Sequence, residues 1–449
     1  MNLLVTMIIA APAIFSAGYF SRHFRGISVT AGIIAIFLST VVYLYGISSS
    51  GVYLIDPLTR YLLITISSIY LFSTIFGLGY HHRMGESANL RIHLSLMDIF
   101  ASTMLFSVSI NNYGLLWFGI ESTTVSSALL LVIEREPLKI EAAWRYIILV
   151  SAGLTISLIS VIVMYYAFHT LTISQILAQH GSTGILTEIA AGSALIGYGT
   201  KIGLFPMHTW LPDAHSEAPS EISAMFSGVL LPVAVYALYR VYEVTADPKI
   251  TDLFMFVAVL TVLFAAFMLP SQRFYKRMFA YSTMENMGII VIGFIIGGPA
   301  LIGAIILLVS HAFGKGGAFY SSGNVLETFG SKKISDISSL RTRMPQTSAS
   351  LIMSSLAVTG TPPFGTFLGE FIILLTLYSD GYFLPFSLVI IALFVSFASI
   401  NYHVSRMVFY GKDGERSEVS VQQRVIAILS SVIPLIIPAF FFIFGGFLL

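Results

Sequence analysis

Apolar runs of about twenty residues, the length that spans the hydrocarbon core of a bilayer, recur along nearly all of the 449-residue chain. Only short polar breaks separate them, and no stretch is long and polar enough to form a separate water-soluble domain. Charged residues make up 10% of the chain and hydrophobic residues 56%, against about 25% charged in an ordinary soluble domain. Runs of this length satisfy their own backbone in lipid only as helices. The sequence therefore predicts an all-α polytopic membrane protein, a single membrane domain over 1–449. About fourteen spans are predicted, at 2–20, 27–46, 59–80, 93–111, 113–133, 140–168, 186–210, 219–243, 251–270, 278–297, 299–326, 347–379, 383–410 and 423–448. The net charge of +1 gives no argument for nucleic-acid binding. With no cysteine, disulfides, iron–sulfur clusters and thiolate metal sites are excluded within this chain. The N-terminal segment has no basic region and no small-residue cleavage pattern, so it reads as a retained first helix.

Loop charge predicts the orientation. Sixteen of the 23 lysines and arginines lie in loops or helix ends after odd-numbered spans. These ends are predicted to face the cytoplasm, which leaves both termini outside the cell membrane. Arg240 reads as a helix-end charge on the outer side, and Lys276 as a cytoplasmic loop charge.

Two predicted spans are interrupted. Span 7 breaks near Pro206, just after Lys201, and span 12 breaks over Gly360–Gly365, just before Glu370. They are five spans apart and run in opposite directions. Broken helices in matching places are a sign of two inverted five-helix repeats. The repeats would be spans 4–8 (93–245) and 9–13 (251–410), with spans 1–3 (1–92) before them and the last span (423–448) after. The halves share little sequence identity, so the repeat rests on pattern.

Charges inside such spans are costly, roughly 2.5 to 3.5 kcal/mol for a lysine at the bilayer centre, and are rarely neutral decoration. Lys201 sits in an otherwise apolar stretch beside the first break. Glu121, in span 5, is its expected partner: a neighbouring ammonium would keep a buried carboxylate charged, and the pair could open and close. The alternative is a static ion pair fastening two spans. His311 and Lys315, four apart in span 11, share a helix face, and both residue types suit proton relay. Glu370 is a buried acid in span 12, read as a terminal proton site. Glu285 in span 10 either admits protons or caps a polar cluster. Glu141 and Arg145, also four apart, read as a snorkelling pair near the start of span 6, secondary to any path. Asp98 reads as a snorkelling residue near the edge of span 4. His208, Asp213 and His215 match no strong metal-ligand spacing, and no metal or cofactor is expected. The nucleotide-binding glycine motifs are absent: Gly314-Lys315-Gly316 lacks the hydroxyl residue that would follow the lysine.

The string Lys201-Ile202-Gly203-Leu204-Phe205-Pro206-Met207-His208-Thr209-Trp210-Leu211-Pro212-Asp213-Ala214-His215 closely resembles a family signature. It is that of the antiporter-like subunits of respiratory complex I, multi-subunit cation/proton antiporters and membrane-bound hydrogenases. The span-5 glutamate, Lys276-Arg277-Met278-Phe279-Ala280-Tyr281-Ser282-Thr283, the His311/Lys315 pair and the Gly360–Glu370 segment resemble it too. Together these cover about residues 95–375. Ser282–Gly288 and His215–Pro219 look most like hydrogenase-4 component F. The resemblance implies a proton-translocating membrane subunit of a redox-driven complex, with sodium as the ion in some members. It implies Glu121 and Lys201 as a coupled pair, His311 and Lys315 as the central relay and Glu370 as the exit. His208, His215, Glu285, Glu141 and Arg145 are the candidates for a secondary proton path. Partners would be other membrane subunits and a peripheral redox module, because this chain carries no redox centre. Two other readings stay open: a cation/proton antiporter subunit driven by an ion gradient, and a non-conducting structural subunit. One departure matters. Pro232 stands where many relatives carry a lysine, so water or the Ser227 hydroxyl would have to bridge toward His311.

Overall fold

A helix can begin on a residue that has no backbone hydrogen to leave unsatisfied, and this chain repeatedly uses proline that way. In a computed structural model of the protein, which describes residues 2–45, 51–83, 87–133, 136–179, 184–411, 414–417 and 419–444, the fold is almost entirely helical. The helices are α1 (Asn2–Phe15), α2 (Phe24–Leu44), α3 (Pro57–Arg83), α4 (Ser87–Ser109), α5 (Tyr113–Val132), α6 (Pro137–Phe168), α7 (Ile173–Ala178), α8 (Ile185–Ile202), α9 (Leu211–Glu217) and α10 (Ser220–Met225). They continue as α11 (Leu231–Thr245), α12 (Pro248–Met268), α13 (Tyr275–Ile296), α14 (Gly298–Phe329), α15 (Leu340–Arg343), α16 (Pro345–Val358), α17 (Gly365–Ser379), α18 (Phe383–Phe409) and α19 (Val421–Phe444). Helices α3, α6, α12 and α16 start on proline. Asn112 caps α5, its side chain accepting from the Leu115 N–H at 3.1 Å.

Among the described residues, twelve helical segments are long and apolar enough to cross a membrane. The other two predicted spans are the interrupted ones. Span 7 resolves into α8 and the break that follows it, with α9 beyond the predicted end at 210, and span 12 into α16 and α17. Each break exposes carbonyls that would be orphaned in hydrocarbon, and a side chain from beyond the break answers one of them. At the first, Trp210 Nε1 donates to the Thr200 carbonyl at 2.8 Å. At the second, the Thr366 hydroxyl donates to the Ala357 carbonyl.

The chain forms two compact units. One comprises residues 1–74, 88–217 and 229–257. Within it α6 lies along α8, α5 packs on α6, and α11 packs on α8. The other comprises 75–87, 218–228 and 258–449. Its centre is α14, against which α10, α13, α16, α17 and α19 all pack. At 32 residues and a rise of about 1.5 Å each, α14 is about 48 Å long, well beyond a hydrocarbon core of about 30 Å.

The α6–α8 contact depends on small residues, as close helix contacts in membranes do. A Cβ on Gly197 would fall 2.4 Å from the Ser157 Cβ and 2.6 Å from its backbone nitrogen. Gly192, on the same helix, has nothing within 4 Å of its Cβ position. Gly197→Leu should therefore cost about 1–3 kcal/mol or more through overpacking. Thermal unfolding in detergent should show a lowered midpoint for Gly197→Leu and almost none for Gly192→Leu. Equal behaviour of the two variants would refute this account of the contact.

Candidate functional site

Lys201 lies one residue before the end of α8 and is fully buried. Its Nζ donates to Tyr146 Oη at 2.6 Å and to Thr124 Oγ1 at 2.9 Å, and stands 4.9 Å from the centre of the Tyr146 ring. The Tyr146 hydroxyl also bonds Ser127 Oγ at 2.7 Å, and its ring tilts against Trp210 at 4.7 Å. Trp210 thus ties the lysine's surroundings to the break. Glu121, Thr124 and Ser127 recur every three residues on α5, so they line one face of it.

The expected contact between Glu121 and Lys201 is absent. Glu121 is partly buried and its Oε1 accepts from Ser151 Oγ at 2.7 Å, while Oε2 has no protein partner. The two residues interact only through their charges at longer range. The reason is local: hydroxyls on α5 and α6 reach the ammonium first. Sequence reading named the charged ends and missed the hydroxyls that hold them, though the three-residue spacing of Glu121, Thr124 and Ser127 was a usable signal.

In the second unit, His311 and Lys315 are both fully buried on α14. Lys315 Nζ donates to the Phe279 carbonyl at 3.1 Å, which also accepts from Thr283 Oγ1 at 2.9 Å. Because Thr283 spends its hydrogen there, Ser227 Oγ is the donor in the 2.6 Å bond between the two hydroxyls. His311 Nε2 lies 3.3 Å from the Ser227 carbonyl. A carbonyl only accepts, so Nε2 carries the proton. This connects His311 to Lys315 through Ser227, Thr283 and Phe279. It also corrects the expectation for Ser227: its carbonyl, not its hydroxyl, meets His311. Residues 226–230 form a π-helical turn just before Pro232. In π register the Ser227 carbonyl would bond the backbone nitrogen of residue 232, and proline has no hydrogen to give.

Glu285 on α13 is buried, has an Oε1 without a protein partner, and feels the charge of Lys315. Glu370, 4% exposed on α17, also has an Oε1 without a protein partner and feels the charge of Glu285. Gly360 makes room for it. Its φ is +61°, and a Cβ there would meet Glu370 Oε2 at 1.8 Å. Ser282 Oγ, Asn286 Oδ1 and Ser310 Oγ are likewise buried without a protein partner. Buried polar atoms in that condition are positions that water satisfies.

The remaining predicted residues divide. Glu141 and Arg145 do pair, at 2.5 Å, and Arg145 also reaches Asp213 at 3.2 Å. Both members of the pair are more than half exposed and line a cavity of about 180 Å³ with Asp213 and Glu217. His208 stacks on Phe205, ring centres 5.7 Å apart, and His215 is fully buried on α9. Asp98 does not snorkel. It is fully buried, accepting from Tyr70 Oη at 2.5 Å and Ser28 Oγ at 3.0 Å. Nor is Arg240 a helix-end charge. It is buried within α11, paired with Asp56 and, at 2.9 Å, with Glu243. Asp56, in the loop before α3, is pushed up by burial, but the Arg240 guanidinium prevails and holds it below the usual carboxylate range. Lys276 is also buried, donating to the Ala218 carbonyl at 2.5 Å. Each of these was missed because its partner is distant in sequence.

Residues 111–399 match the family described as NADH:quinone oxidoreductase/Mrp antiporter, TM. The chain is 36% identical over 305 residues to a hydrogenase-4 component F homolog of Methylacidiphilum infernorum, covering 64% of this chain and 63% of that one. It is 26% identical to hydrogenase-4 component B of Escherichia coli, over 72% of this chain and 50% of the relative. The matched regions thus span half to just under two thirds of these relatives' length. The fold resembles a chain of the membrane-bound sulfane sulfur reductase, an archaeal respiratory membrane complex, with a TM-score of 0.89, 23% identity, and coverage of 98% of this chain and 95% of that one. A buried lysine beside a broken helix, a histidine–lysine pair on one long helix and this match over most of the spans lead to one assignment: the chain is a multi-pass membrane protein that belongs to the NADH:quinone oxidoreductase/Mrp antiporter transmembrane family.

Proposed function

We propose that this chain is a proton-translocating membrane subunit of a redox-driven, multi-subunit complex of the membrane-bound hydrogenase or complex I type. The observation that carries the reading is the surroundings of Lys201. A lysine placed to fasten two helices would end on a carboxylate. This one is fully buried and ends on two hydroxyls, with Glu121 held apart on Ser151. Hydroxyls solvate an ammonium and an amine alike, so the lysine can give up its proton without losing its contacts. At an effective dielectric of about 20, closing the Glu121–Lys201 pair to about 4 Å is worth about 4 kcal/mol. That is comparable to the cost of the buried lysine itself, so a modest change in nearby charge decides whether the pair is open or closed.

In the second unit His311 and Lys315 form the relay, Glu285 receives charge from it and Glu370 is the exit. Lysine, histidine and glutamate without a cage of oxygen ligands support protons over sodium. The chain has no cysteine, and its partners are other membrane subunits and a peripheral redox module. It resides in the cell membrane with both termini outside, as the loop charges support. Ion-gradient-driven cation/proton antiport is a second reading, supported by the Mrp branch of the family.

Proton translocation is measured with membranes carrying the assembled complex. Lys201→Ala should lower it by at least roughly tenfold, the scale of a lost proton-transfer group, and Glu121→Gln should lower it in the same direction. Undiminished translocation in both assembled variants would sink the proposal. A second measurement isolates the exit. Gly360→Ala drives a methyl into the Glu370 carboxyl, so it should impair translocation as strongly as Glu370→Gln. A normal Glu370→Gln complex would remove Glu370 from the path as drawn.

A further inference from the structure

Outside the path proposed above lies a buried ionisable pair. His81 Nε2 and Glu221 Oε1 are 2.7 Å apart, with 4% and 0% of their side chains exposed. His81 lies near the end of α3 and Glu221 is the second residue of α10. Both belong to the unit that holds His311, Lys315, Glu285 and Glu370. We propose that His81 and Glu221 form a proton-loading site that takes a proton from cytoplasmic water and feeds the His311–Lys315 relay. This rests on the reading of the chain as a proton conduit.

Position supports it first. Helix α3 ends, α10 begins and α14 ends on the side where the loop lysines and arginines concentrate. Phe76 on α3 stacks on Tyr320 of α14, ring centres 4.9 Å apart. Tyr320 is five residues past Lys315, about 7.5 Å along the helix. His81 is a further five residues along α3, so the pair stands on the cytoplasmic side of the relay. Glu221 is also joined to the relay through the π-helical turn that follows α10: Ser227 is six residues on, about 9 Å, and touches both His311 and Thr283. Ser220 Oγ, beside Glu221, and Ser282 Oγ, beside Thr283, are buried without a protein partner, and such atoms are where water is held.

Chemistry supports it second. Empty, the pair is a neutral imidazole and a carboxylate, net charge −1. Loaded with one proton it is imidazolium with carboxylate, or imidazole with carboxylic acid, net charge zero either way. At 2.7 Å the proton passes between Nε2 and Oε1 without bonds to carbon changing. Loading removes a net charge from a dry site, which favours uptake. Release to the water beside Ser227 restores the carboxylate. A purely structural pair between α3 and α10 would not change protonation during turnover.

The test uses the assembled complex in its membrane. Glu221→Gln and His81→Gln should lower proton translocation at least roughly tenfold, with Glu221→Asp recovering part of it. Redox-induced infrared difference spectra of the unmodified complex should contain a carboxyl band that disappears in Glu221→Gln and shifts in Glu221→Asp. Full translocation in Glu221→Gln, while Lys315→Ala abolishes it, would overturn the loading site alone. Full translocation in both would overturn the conduit reading beneath it. If Glu221→Gln does not assemble, a spectrum of the unmodified complex with neither a carboxyl nor an imidazole band would still refute the site.

Discussion

A lysine ammonium taken out of water must be answered by the protein around it, and how it is answered decides what it can do. A carboxylate in contact would lock the charge in place, because separating the two in a medium of low dielectric is expensive. Lys201 is answered by Tyr146 and Thr124, and Lys315 by the Phe279 carbonyl. These are polar but uncharged partners. They solvate the ammonium without pinning it to an opposite charge. The acids near them are kept one step away: Glu121 on Ser151, and Glu285 sensed by Lys315 through its charge. Around these two lysines, therefore, cation and anion are neighbours without contact.

At Lys201 and at Glu370 the setting is a broken helix. A continuous α-helix keeps its carbonyls and presents only side chains. Where α8 ends at Ile202 and α16 at Val358, carbonyls are released, and Trp210 and Thr366 answer them from beyond the breaks. The side chains that close the breaks also place the ionisable groups. Trp210 lies against the ring of Tyr146, which holds Lys201. Thr366 is one turn before Glu370 on α17, whose carboxyl fills the space left by Gly360.

What could be read from the sequence follows the range of the interaction. Apolar runs and proline breaks are local, so the spans and the two interruptions at Pro206 and Gly360 were legible. Lys201, Glu121, His311, Lys315 and Glu370 stood out because each is expensive wherever its partner is. Their partners were not legible. Nothing local says that Glu121 ends on Ser151, or that Asp98 is buried under Tyr70 and Ser28. Arg240 and Lys276 looked like boundary charges because both lie near helix ends. Burial of each depends on groups more than fifty residues away, Asp56 for one and the Ala218 carbonyl for the other.

Pro232 shows how a residue that looks like a loss can change the chemistry instead. Read in sequence, it removes an ionisable side chain from the middle of a span. In the fold it follows the π-helical turn 226–230 and offers no hydrogen to the carbonyls behind it. The Ser227 carbonyl then has capacity for another donor, and His311 Nε2 lies beside it at 3.3 Å. That contact fixes the tautomer of a neutral His311: the hydrogen is on Nε2, and Nδ1 is the atom that accepts the next proton. A lysine at this position would have supplied the missing backbone hydrogen and added a second cation near His311 and Lys315, raising the cost of protonating His311. Proline does the opposite on both counts. The span has no titratable group at this position, and the carbonyl that Pro232 leaves without a backbone donor orients the His311 ring instead.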